Sequence, residues 1–153
     1  MPTETIRLRE LTVRYAVKKD DDGRPVLIGQ ALRTPRESAE VLLRLLQHEP
    51  SEVFAVLLLN TRHHVLAYHE VGRGTLDTVL VTPREVFKAA ILANAAAVIL
   101  CHSHPSGDPT PSPDDLTLTR RLASAGKLLG IDVLDHIIVA DEGYVSLQER
   151  GCL

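Results

Sequence analysis

The chain has 153 residues, 44% of them hydrophobic, and a formal net charge of −3. That length fits a single domain, residues 1–153, which can bury a core without disulfides or a structural metal. An acidic balance with 3% aromatic residues and no Trp argues against general phosphate binding or base stacking, so a nucleic-acid partner is not supported.

The two cysteines, Cys101 and Cys152, form no C-x-x-C pair, which excludes a cysteine-rich zinc finger. The opening MPTETIRLRELTVRY is too charged for a signal peptide, and no apolar run approaches a membrane span. A cytoplasmic protein without membrane association is therefore expected.

Residues 5–17 and 26–28 are expected to form short strands, because Ile6, Leu8, Val13, Tyr15 and Val17 alternate in part; KKDDDGRP between them is a turn. Three helices open alike, with a hydroxyl cap, Pro at the first helical position and an acid three residues after the cap. They start at Thr34-Pro35-Arg36-Glu37, running to about His48, at Thr82-Pro83-Arg84-Glu85, to about Asn94, and at Ser112-Pro113-Asp114-Asp115, to about Leu129 before Gly130. Between them lie VFAVLLLN (53–60), a polar turn at Asn60–His63, HVLAYHEV (64–71), AAVILC (96–101), VLDHIIVA (133–140), the turn Asp141-Glu142-Gly143 and YVSL (144–147). Strands alternating with helices, with hairpins at three places, predict an α/β or α+β fold: a mixed sheet flanked by about three helices.

CHSHPSGDPTPSPDDL (101–116) follows a buried strand and precedes a helix. His102 and His104 are two apart, so extended backbone points both imidazoles to one side. A Pro-rich loop then brings in a helix whose first turn holds Asp115, where the helix N-terminus favours an ionised carboxylate. Two imidazoles and one carboxylate suit a catalytic zinc with one open position, one ion per chain. Zinc lowers the pKa of its water to about 7, which makes a hydrolytic site. Ser112 and Asp115 are also what any helix start needs, and the same device occurs twice elsewhere in the chain. The conjunction of H-x-H with S-x-x-D at a strand-to-helix junction is what singles them out.

His102-Ser103-His104-Pro105 with Ser112 and Asp115 matches the JAMM signature H-x-H-P-x(6)-S-x-x-D. PREV (83–86), NAAAVIL (94–100), HSHPSGDPTPS (102–112), TRRLASAGKLLGI (119–131), LDHIIV (134–139) and YVSLQERG (144–151) resemble the RadC-like JAB domain of the JAMM/MPN+ zinc metalloproteases, most strongly over 35–151. Members often carry Asn where this chain has Ser103, and longer ones carry an N-terminal helix-hairpin-helix region; this chain looks like the short form. The resemblance implies the JAB/MPN fold, with layering like that of cytidine deaminases, and zinc-dependent hydrolysis of a peptide or isopeptide bond in a protein or peptide substrate. It also implies an upstream glutamate. Glu52, ahead of VFAVLLL, is the match, with Glu49 and Glu70 as fallbacks. Glu52 is expected to be the general base, and Ser112 to hydrogen-bond the oxyanion.

Other readings fare less well. A DNA-repair factor or nuclease has little support, since Arg120-Arg121 and Arg33/Arg36 read as ordinary helix-surface charge and nuclease metals favour oxygen ligands. An iron oxygenase shares the ligand set but not the helix-rich pattern. Zinc deaminases need H-x-E with P-C-x-x-C, which is missing. A non-catalytic metal-binding scaffold fits poorly with a full ligand set. His63, His64 and His69 are expected at the surface, His136 as a hydrogen-bonded core residue, and Cys101 as a buried hydrophobe facing away from the imidazoles.

Overall fold

A computed structural model describes residues 5–74 and 81–153. The three helices form as their caps dictate: α1 at Pro35–Leu46, α2 at Pro83–Leu92 and α3 at Pro113–Leu129. Thr34 and Ser112 each complete a reciprocal capping box. At α2, Thr82 accepts from Glu85 N, but the Glu85 carboxylate turns to Lys88 Nζ at 2.8 Å. Gly130 ends α3 in the left-handed region at φ 73°, a conformation that carries no Cβ penalty for glycine.

The apolar runs become strands of one mixed sheet, ordered β2-β1-β3-β4-β5. They are β1 (Val53–Leu59), β2 (Val65–Arg73), β3 (Ala97–Ser103), β4 (Asp132–Ala140) and β5 (Gly143–Ser146). All pairings are antiparallel except β3 with β4, which are parallel and joined through α3. Every residue of β1 and β3 is buried, because helices cover both sheet faces. Val53, Ala55, Leu57, Ile99, Cys101 and Ile137 pack with α1 on one face. Phe54, Val56, Leu58, Val98 and Leu100 pack with α2 and α3 on the other. At Gly126 a Cβ would run into the Ile131 carbonyl, so the return from α3 into β4 requires glycine there.

The β1–β2 hairpin turns as expected, with Asn60 Oδ1 accepting from Arg62 N and His64 N. The β4–β5 hairpin turns at residues 141–143. The expected strands at 5–17 and 26–28 are not formed. Only the turn between them is present, as a lone bridge from Lys19 to Pro25. Ile6, Leu8, Leu11, Tyr15 and Val17 stay exposed. Alternation alone does not make a strand; a ladder partner does. No helix among the described residues is long and apolar enough to cross a membrane.

Candidate metal centre

β3 delivers the histidines. His102 lies within it, and His104 follows directly and donates its N–H to Val139 O at 2.9 Å, prolonging the β3–β4 ladder. Pleat alternation puts both imidazoles on the α2/α3 face. Cys101, wholly buried among the α1-side residues, faces the other way. Burial pushes its thiol up, far from a thiolate. The loop after His104 is stiff and self-bonded: Gly107 takes φ 91°, and Asp108 Oδ1 accepts from Thr110 N at 2.9 Å and Thr110 Oγ1 at 2.6 Å. His104 Nδ1 lies 3.0 Å from Asp108 O. A carbonyl only accepts, so Nδ1 carries a proton and Nε2 is the nitrogen presented to Asp115.

The start of α3 supplies the carboxylate. Asp115 Oδ2 accepts from Ser112 N at 2.8 Å while Ser112 Oγ accepts from Asp115 N at 3.1 Å. The same carboxylate stands 3.2 Å from His102 Nδ1 and 3.4 Å from His104 Nε2. Burial works against its charge, but the two imidazoles and the Ser112 N–H prevail and hold it well below the usual range. In turn the Asp115 carboxylate raises His104, against the opposing effect of burial.

The residue just ahead of β1 supplies the glutamate. Phe54 pairs with His102, so two residues earlier the antiparallel register sets Glu52 across from His104 on the same face. Glu52 Oε1 is 3.6 Å from His102 Nε2. One ligand atom each from Glu52, His102 and His104 lies within 4.8 Å of the others, a grouping able to hold a metal ion. Asp115 stands outside that trio yet touches both imidazoles, so His102 and His104 are common to either set. The fallback acids are engaged elsewhere: Arg73 pairs with Glu49 and with Glu70, each at 2.6 Å.

The donor set fits a cation by a further sign. His102 is 7% exposed, and although Asp115 and Glu52 each bring a carboxylate oxygen near one of its ring nitrogens, neither nitrogen meets hydrogen-bond geometry with a described residue. A buried imidazole left this way costs free energy, and a metal ion between the four side chains would satisfy it.

His136 is a buried core residue, as expected. Its Nδ1 is 2.5 Å from Thr119 Oγ1, which donates to Asp115 O at 2.6 Å. Burial, then the nearby His102, pushes His136 down to about 3. Thr119 escaped the sequence reading, although a Thr four residues after Asp115 is placed to back-bond its carbonyl. Ser103 escaped it too; its hydroxyl accepts from Val53 N at 2.9 Å.

A mixed sheet carrying an H-x-H pair on its third strand, with an S-x-x-D helix start closing over it, defines a JAB/MPN-type α+β domain. The family model described as RadC-like JAB domain matches residues 32–152, and the chain belongs to that family. It is 45% identical over 140 residues to a UPF0758 protein of Desulfitobacterium hafniense, covering 92% of this chain and 60% of the relative. A UPF0758 protein of Symbiobacterium thermophilum is 52% identical over 122 residues, 80% of this chain and 52% of that one. One from Clostridium botulinum is 39% identical over 150 residues, 98% and 63% of the two chains. The chain thus spans between 52% and 63% of the length of these curated relatives.

Proposed function

We propose that this domain is a zinc-dependent amide hydrolase acting on a peptide or isopeptide bond, with His102, His104 and Asp115 holding one zinc. The observation that carries this reading is the convergence of two imidazoles and two carboxylates, Glu52 and Asp115, around the buried ring of His102. A bound zinc would supply an acidified water and a Lewis-acid contact for the scissile carbonyl. The chain's own residues do the rest. Glu52, one third exposed and facing His102 from just ahead of β1, accepts a proton from the attacking water and returns it to the leaving amine. Ser112, exposed at the mouth of the site, already accepts from Asp115 N, so its own hydroxyl proton remains to be donated to the oxyanion. Asp108 O fixes the His104 ring.

Elemental analysis of protein purified without added metal tests the centre. About one zinc per chain is expected, and the double variant His102→Ala/His104→Ala is expected to lose it while keeping a native circular dichroism spectrum. Zinc retained in that variant would sink the assignment. Screening the loaded protein against linked-peptide and isopeptide libraries then tests the reaction class.

A further inference from the structure

Ser103 is the residue between the two histidines, and its side chain points away from them, to the sheet face that carries α1. It is 3% exposed. Its Oγ accepts from Val53 N at 2.9 Å and donates to Ser51 O at 3.4 Å. Those two backbone groups flank Glu52. The register of β1 with β3 ends at Phe54 and His102, so Ser51 and Glu52 lie beyond the last paired residue of β1. The Ser103 hydroxyl ties the backbone on both sides of Glu52 to β3. From the other side Gly74 N donates to Glu52 O at 2.9 Å. The peptide bearing Glu52 is clamped between two strands, and on the β3 side the clamp is one hydroxyl that both accepts and donates.

We propose that Ser103 is a positioning residue that sets where the Glu52 carboxylate stands relative to His102 and His104. This rests on the metal-centre reading above. Alanine would leave Val53 N buried without an acceptor and release residues 51–52 from β3. The imidazoles would stay in place, since β3 and β4 hold them. The effect of Ser103 on a bound metal should thus pass through Glu52 alone.

A double-mutant cycle with Co²⁺ as the only probe tests this. Affinity is read by chelator competition and the coordination sphere by visible absorption, in Ser103→Ala, Glu52→Gln and the double variant. Ser103→Ala is expected to weaken Co²⁺ by roughly 10-fold, the scale for outer-shell partners of a metal site. Glu52→Gln should do at least as much, and the double variant should be no weaker than Glu52→Gln. Ser103→Thr, which keeps the hydroxyl, should recover wild-type affinity and spectrum. Ser38→Ala, a buried serine on α1 bonded to Thr34 O, should lower stability without moving either. If Ser103→Ala proves too unstable, Ser103→Cys keeps the volume, weakens both bonds and enters the same cycle. An equal loss on Ser103→Ala with and without the Glu52→Gln change would mean that Ser103 acts on the fold or the histidines, overturning the proposal. Unchanged affinity in Ser103→Ala or in Glu52→Gln would overturn it as well. Unchanged Co²⁺ binding in His102→Ala/His104→Ala marks a different failure, that of the metal centre itself.

Discussion

Two helix starts in this chain are built from the same four-residue pattern and do different things. Thr82-Pro83-Arg84-Glu85 opens α2, and its acid turns outward to Lys88. Ser112-Pro113-Asp114-Asp115 opens α3, and its acid closes a capping box and lies against two imidazoles. The local chemistry is shared; what separates them is the strand each helix start faces. α3 follows β3 through one loop, and the end of β3 presents the H-x-H pair. A capping carboxylate meets two imidazoles when a neighbouring strand presents nitrogen to it, so local sequence alone does not assign its surroundings.

The comparison breaks most completely if the histidines go. With His102→Ala/His104→Ala the α3 start should revert to a plain cap like that of α2, with no zinc and no hydrolysis. Glu52→Gln should act next most strongly: with zinc supplied in excess to keep the site filled, it should lower the rate by roughly 10²–10⁴-fold, the range for a general base. Zinc content together with turnover on a substrate from the screen decides this. A rate unchanged in Glu52→Gln would move the base elsewhere, although Glu49 and Glu70 are both held by Arg73.

Paired cap variants sharpen the comparison further. Thr82→Ala and Ser112→Ala should each destabilise the fold by about 1 kcal/mol, the usual effect of a lost cap. Only Ser112→Ala should also lose about 2.7–4 kcal/mol of transition-state stabilisation, as for a lost oxyanion donor. Denaturant melts give the first quantity and kcat/KM the second. Equal rate losses in the two variants, or none in Ser112→Ala, would reduce Ser112 to a cap.

The parts of the molecule readable in sequence are those whose cause is local. Hydroxyl caps with proline and an acid announced all three helices, and the continuous apolar runs at 53–60 and 96–101 announced β1 and β3 because helices cover both faces of the sheet. The H-x-H pair was readable for the same reason: a pleated strand sends i and i+2 to one side. What escaped depends on distant partners. Val13, Tyr15 and Val17 alternate as well as many strands do, yet no ladder partner among the described residues meets them. Ser103 reaches a backbone amide fifty residues away along the chain, and Thr119 meets His136 across the gap between α3 and β4. Neither contact exists until strand order and register are set, and spacing along the chain does not encode those.

The finest distinction between the two helix starts is their response to pH in metal-free protein. Asp115 is held below the usual carboxylate range, so the stability it contributes is present above its unfolded value of about 4 and is lost as pH falls toward the folded value. His104 is raised, chiefly by Asp115, so its contribution is present below about 6.5 and is lost as pH rises through the folded value. The pair therefore stabilises the fold most between about pH 4 and 6.5. His136 acts the opposite way: buried and pushed down to about 3, it refuses a proton that the unfolded chain accepts below about 6.5, so acid destabilises the fold through it. Subtracting Asp115→Asn from wild type at each pH, with chelator present, cancels most of the His136 effect and leaves the pair. The difference should peak between about pH 4 and 6.5 and shrink on either side. At α2 the exposed Glu85 is lowered mainly by its hydrogen bond with Lys88, a surface contact that solvent screens. Glu85→Gln should give a small difference, with little fall between about pH 6 and 8, because the histidine it is coupled to, His69, is held below its usual value by burial. A flat difference for Asp115→Asn across the same range would show that Asp115 and His104 do not interact as placed here.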